Sequence, residues 1–110
     1  MRFYSKKAII QIVKSGIVAT LCDFSFSFYQ KVFVKINGIP FKLRGRVVGV
    51  IKNPKIKHLL QYLDISGFSS VGEWINETKR IHQRIPRFLV IFVLTDSRKK
   101  LLKNYIKVDA

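Results

Sequence analysis

Apolar residues recur along this chain at two different periods, and the switches between them mark out its elements. From Ser5 to Gly16 the apolar positions Ile9, Ile12 and Val13 form one stripe of an amphipathic helix, with Lys7, Gln11 and Lys14 on its polar side. Ser5 is placed to cap the first turn and Gly16 to take the left-handed conformation that stops the helix. The short apolar segment Val18 to Cys22 reads as a strand. Lys31 to Asn37 alternates strictly, with Val32, Val34 and Ile36 on one side and Lys31, Phe33 and Lys35 on the other, and the hairpin pair Asn37-Gly38 follows. The return strand is predicted over Phe41 to Lys52, with Phe41, Leu43 and Val47 on one face and Lys42, Arg44 and Arg46 on the other. Gly45 and Gly49 interrupt it and predict a bulge or bend.

Beyond Asn53-Pro54 the pattern predicts a loop and a short helix around Lys57 to Leu63, ending near Asp64 to Gly67. Ser70-Val71-Gly72-Glu73 has capping-box spacing, in which a serine hydroxyl and a glutamate carboxylate each satisfy an orphan amide. The helix it opens carries Val71, Trp74, Ile75, Thr78 and Ile81 at helical spacing and stops by Pro86. Phe88 to Leu94 is apolar on both faces and predicts a central, fully covered strand. Asp96 to Lys103 predicts a terminal helix, and Tyr105 to Val108 a further edge strand. The expected class is α+β: a small curled sheet or barrel flanked by two or three helices, in one domain over residues 1–110.

Charge changes the picture more than any motif. Lys and Arg number 21 against six Asp and Glu, a formal +15, so a negative partner is expected. The longest apolar run, Phe88 to Leu94, falls far short of a membrane-spanning helix, and Met1 to Lys7 lacks a secretory signal pattern. Nucleic acid therefore ranks ahead of an anionic membrane surface. A single cysteine, Cys22, excludes an internal disulfide and a multi-cysteine zinc site, which fits a reducing, cytoplasmic setting. No metal or cofactor is expected, because the carboxylates are scattered: Glu73 is assigned to capping and Glu77 to a helix-surface pair with Arg80.

Several of these features come together as a resemblance. A helix ending in Ser15-Gly16, the strand Ala19-Thr20-Leu21-Cys22, the hairpin from Lys31 to Lys52, and the run Gly67-Phe68-Ser69-Ser70 before Glu73-Trp74 and Arg80-Ile81-His82 resemble the ASCH domain of the PUA-like superfamily. The resemblance covers Lys14 to His82. It implies a PUA-like β-barrel with RNA bound in a cleft between the Thr20 strand and the segment before the capped helix. Some ASCH proteins are amidohydrolases that use a lysine, a threonine and a glutamate. Here Ile17 stands in the lysine place, Cys22 in that of a nearby arginine, and Ser66 in that of the glutamate, so only Thr20 of that set remains. The resemblance thus implies binding rather than hydrolysis. The alternative is an RNA or nucleoside hydrolase rearranged around Thr20, with Lys14 as the base that activates it.

The residues expected to bind nucleic acid are Lys14, Thr20, Lys42, Arg44, Arg46, Lys52, Phe68, Arg80, Arg84 and Arg87. Three cations at spacing two on one strand face repel one another, and backbone phosphates relieve them. A solvated outer face is the plainer reading. Thr20 equally reads as an ordinary strand residue, His58 and His82 as surface helix residues, Cys22 as a small buried side chain, and Trp74 as core. Phe68 reads either as a cleft residue or as a ring packed at the helix start. The alternating Phe24, Phe26, Phe28 and Tyr29 suit base stacking or a half-buried strand. RNA is the expected partner and DNA is compatible, since phosphate contacts carry no sequence information. Oligomeric state is not legible.

Overall fold

The computed structural model describes residues 2–3 and 5–106. Strand β1 (Arg2–Phe3) leads into helix α1 (Lys6–Ser15), then β2 (Ile17–Cys22), β3 (Lys31–Ile36) and β4 (Leu43–Lys52). Helix α2 (Ile56–Gln61), a 3-10 turn (Leu63–Ile65), helix α3 (Val71–His82), strand β5 (Phe88–Leu94) and a 3-10 helix (Ser97–Asn104) follow. The class is α+β, as the sequence predicts. The strands lie in the order β1-β3-β4-β5-β2, with β3, β4, β5 and β2 antiparallel and β1 parallel to β3. The result is a curled half-barrel open between β1 and β2, with α1 packed along that gap.

Period two builds the sheet and explains its two cores. On one face Val34, Leu43, Val47, Val90 and Phe92 pack under Ile12 and Val13 of α1 and Leu102 of the 3-10 helix. On the other, Ala19, Leu21, Leu89 and Ile91 pack under Leu59 of α2, and Phe68 and Trp74 at α3. β5 is central and covered on both faces, which is why it carries no polar residue. The predicted bulge falls at Val48, where the register slips between Val47 and Gly49. Gly49 lies over Ile91, whose Cδ1 would stand 3.0 Å from a Cβ there.

That extra residue reverses the faces of β4. Arg46 lies opposite Val93, whereas Lys52 lies opposite Phe88, five residues away and hence on the other side of the sheet. The hairpin also departs from a two-residue turn. Gly38 takes φ +89° as expected after Asn37, but pairing of β3 with β4 ends at Val34 and Leu43. Lys35 and Ile36 turn to β1 instead, and Pro40 has no N–H to offer the ladder. β4 therefore starts at Leu43 rather than Phe41. β1 went unpredicted, because two residues show no period.

Other differences are local. Ser5 occupies the cap position of α1, but its hydroxyl makes no capping bond and is buried without a partner. Ser70 caps α3 as expected, accepting from the Glu73 N–H at 3.1 Å. The Glu73 carboxylate does not complete the box. It accepts from Ser69 Oγ at 3.0 Å and pairs with Lys7, tying α3 to α1. α3 ends at His82 with Gln83 left-handed at φ 64°. The predicted terminal helix is 3-10, capped by Asp96. Of the predicted edge strand, Tyr105 lies in a turn and residues 107–108 lie outside those described.

Candidate nucleic-acid interface

Two concave regions contain residues singled out from the sequence. One is a cleft of about 520 Å³ at the outer edge of β2, between α1 and α3. Thr20, Cys22 and Asp23 line one side, Phe68, Trp74, Glu77 and Thr78 the other, with Ser5 and His82 at its ends. It lies between the Thr20 strand and the segment that leads into α3.

The cleft is built by close backbone approach. Ser66 is fully buried, donating to the Leu63 carbonyl at 2.7 Å and accepting from the Phe68 N–H at 3.0 Å. These bonds hold Gly67 at φ +88° against α1, where a Cβ would stand 2.3 Å from the Lys7 carbonyl oxygen. Only glycine fits there. Phe68 then stacks on Trp74, ring centroids 6.3 Å apart and planes 11° from parallel, so that the ring is largely buried in that stack while it lines the cleft wall. Trp74 is core, as its place on the apolar stripe predicts.

Electrostatically the cleft is balanced. Arg80 pairs with Glu77 at 2.5 Å, and Arg84 with Asp23 at 3.0 Å. The Arg80 guanidinium holds the Glu77 carboxyl below its usual range, chiefly through their hydrogen bonds. Arg87 is exposed, and its N–H donates to the same Asp23 at 3.3 Å. Burial pushes the Cys22 thiol up to about 11, with the Asp23 charge adding to it, so the sulfur is a packed, inert side chain. Lys14 is exposed at the end of α1, and no lysine is among the described residues lining the cleft. Ile17 packs into the second core, and Ser66 is committed to the turn.

The second region is a groove of about 510 Å³ on the outer face of β3 and β4, lined by Lys31, Phe33, Arg44, Arg46, Thr95 and Ser97 among others. Lys31 stands directly opposite Arg46, and Phe33 opposite Arg44. Lys35 follows two residues on, exposed. Among the described residues, neither Lys31 nor Arg46 has a carboxylate within ion-pair distance. Arg46 instead donates to the Tyr29 carbonyl at 3.2 Å.

Arg44 Nε is 3.9 Å from Asp96, but that carboxylate is already engaged. It accepts from Arg98 Nε at 3.0 Å and Nη2 at 2.8 Å, and from the Arg98 and Arg44 N–H groups at 2.9 and 3.0 Å. Those bonds, with Arg98's guanidinium foremost, hold the buried Asp96 carboxyl well below its usual range.

The structure thus brings Arg44 and Arg46 together with two residues the sequence reading left off its site, Lys31 and Phe33. A signal for them existed: the outward Lys31-Phe33-Lys35 alternation sits across the Asn37-Gly38 turn from the Arg44-Arg46 alternation. Lys42 is exposed just before β4, and its carbonyl accepts from Arg98 at 2.7 Å. Lys52 is not part of this face, since the bulge turns it to the other one. The Phe24 to Tyr29 stretch is a loop rather than a strand. Phe26 packs edge-on against Phe92, with centroids 5.4 Å apart, while Phe24, Phe28 and Tyr29 are exposed.

Among the described residues no helix is long and apolar enough to cross a membrane, and no three His, Cys, Asp or Glu side chains gather as metal ligands. No family model and no solved structure matches the chain. It is similar to Uncharacterized protein 105 of Sulfolobus islandicus rod-shaped virus 1, being 34% identical over 77 residues, which are 69% of this chain. The matched region spans 62% of the viral protein's length.

Proposed function

We propose that this protein is a non-enzymatic RNA-binding module that grips backbone phosphates on the outer face of β3 and β4. The carrying observation is the cross-strand register. Lys31 and Arg46 are placed side by side with like charge, an arrangement that weakens a sheet unless an anion joins them. Arg44 and an exposed phenyl ring, Phe33, complete a concave site whose described lining residues include no acid. A polyphosphate neutralises all three cations at once and releases their counterions.

In this ASCH-like reading the cleft beside Thr20 plays a different part. Its apolar rings and the carboxylates of Asp23 and Glu77 disfavour phosphate and suit an uncharged base or nucleotide end. The absence of a lysine from its described lining, and the structural commitment of Ser66, support binding over hydrolysis there.

The test is a titration of one RNA 12-mer sequence and its DNA counterpart at several salt concentrations, with wild type and a Lys31→Ser, Arg44→Ser, Arg46→Ser triple variant. The variant is expected to bind both strands 10- to 100-fold more weakly. Its slope of log affinity against log salt should be shallower by about 2, at ~0.7 per phosphate contact on a single strand. Equal affinity of variant and wild type refutes the assignment. Tighter binding of the DNA strand refutes its RNA part.

A further inference from the structure

The loop from Phe24 to Tyr29 presents two rings that the core does not use. Phe28 and Tyr29 are 62% and 59% exposed, and their centroids lie 4.2 Å apart with the planes tilted by 56°. They stay outside although burying either would contribute about 2 kcal/mol. Their position is fixed by the backbone. Tyr29 adopts φ 64°, an unfavourable conformation for a residue with a Cβ, and is locked there on both sides. Its N–H donates to the Val47 carbonyl at 2.7 Å, and the Val47 N–H donates to the Gln30 carbonyl at 3.0 Å. The Ser27 N–H donates to Gln30 Oε1 at 2.8 Å, closing the turn. The Tyr29 carbonyl in turn accepts from Arg46 at 3.2 Å, so the ring pair is tethered to a cation of the phosphate groove.

We infer that Phe28 and Tyr29 form a base-stacking platform at the end of that groove, and that the platform makes the surface selective for single strands. This deepens the phosphate-binding reading and rests on it. Aromatic rings next to a cationic track offer their faces to unpaired bases, whereas in a duplex each base is already stacked on its neighbours and its face is unavailable. Phosphates held by Lys31 and Arg46 bring the bases of a single strand over the rings. Phe33, exposed between Lys31 and Lys35 on the same strand, continues the run of rings along the groove.

The experiment compares a 10-nucleotide single-stranded RNA with the 10-base-pair duplex made from it, at equal salt. The proteins are wild type, a Phe28→Ser, Tyr29→Asn variant, and an Arg44→Ser, Arg46→Ser variant. Asparagine is chosen because it tolerates the left-handed backbone at position 29. Wild type should bind the single strand about 10-fold or more tighter than the duplex. The ring variant should lose roughly 10- to 100-fold on the single strand, the effect of removing one stacked base, with duplex affinity and salt slope unchanged.

Equal wild-type affinity for the two forms, or full single-strand affinity in the ring variant, overturns the platform. If the arginine variant still loses both ligands, the phosphate reading survives that result. Failure of wild type to bind either ligand overturns both readings. A measurement without substitutions guards against a misfolded variant. Ring-proton resonances of Phe28 and Tyr29 in the intact protein should move upfield with the single strand and stay in place with the duplex, and unmoved resonances with a bound single strand overturn the proposal.

Discussion

The cleft beside Thr20 and the groove over β3 and β4 are about equal in volume and opposite in electrostatic construction. At the cleft and the α1–α3 contact beside it, Lys7, Arg80 and Arg84 each have an acid, in Glu73, Glu77 and Asp23. On the groove, Lys31 and Arg46 face each other, and the acid nearest Arg44 is taken up by Arg98. A formal +15 therefore says little about where an anion sits until the pairs are known. What distinguishes the groove is that folding brings Lys31 and Arg46 together there with no acid in ion-pair distance of either among the described residues, and gives Arg44 only a carboxylate that Arg98 already holds.

This contrast can be broken from either side. The largest effect is expected from Gly67→Ala, which drives a methyl into the Lys7 carbonyl at a backbone angle alanine disfavours. A loss of about 3 kcal/mol, or a Tm fall of roughly 12 °C, should appear in thermal melts. The groove triple variant should melt far closer to wild type, because relief of the Lys31–Arg46 repulsion offsets the exposed Arg46 bond to the Tyr29 carbonyl and the long Arg44–Asp96 pair that it removes. A Tm for Gly67→Ala within a degree of wild type would show that the α1 approach is not rigid.

Asp96→Asn comes next, at about 2 kcal/mol near neutral pH, because the buried carboxylate accepts charge-assisted bonds from Arg98 and caps the 3-10 helix. Its carboxyl titrates lower in the native state than in the unfolded chain. The stabilisation is therefore complete above the unfolded value near ~4 and drains away as pH falls below it towards the depressed native value. Urea melts at pH 7, 4 and 2.5 should show the gap between wild type and Asp96→Asn narrowing with acid. A gap that does not change with pH would mean that the carboxylate's charge plays no part.

The smallest effect should follow Arg80→Ser with Arg84→Ser. These remove two cations that already have acids, so RNA affinity at 0.15 M salt should change by no more than about threefold. A loss matching that of the groove triple variant would move the binding surface to the cleft side.

Much of the framework could be read in advance, for reasons visible in particular residues. β5 was legible because a seven-residue apolar run has nowhere to lie except between covered faces. α3 was legible because Ser70 bonds the Glu73 N–H locally, and the bulge because two glycines interrupt one strand. The side taken by Lys52 was not legible, because an unbroken period of two would align it with Arg44 and Arg46 and Val48 breaks that period. Phe24 to Tyr29 alternates like a strand, but a left-handed Tyr29 and a tightly bonded turn leave only Phe26 in the core. The capping box was half right, because Lys7 on another helix drew the Glu73 carboxylate away.

By itself the chain determined its periods, turns and charge surplus, since these depend on neighbours a few residues apart. Only the tertiary structure decided which cations keep an acid and which face each other. Asp96 meets the Arg44 N–H across 52 residues, Arg84 meets Asp23 from beyond α3, and Lys31 meets Arg46 only once β3 and β4 are in register. An ion pair depends on distance in space, and a sequence fixes that distance only where the chain runs straight between the two charges.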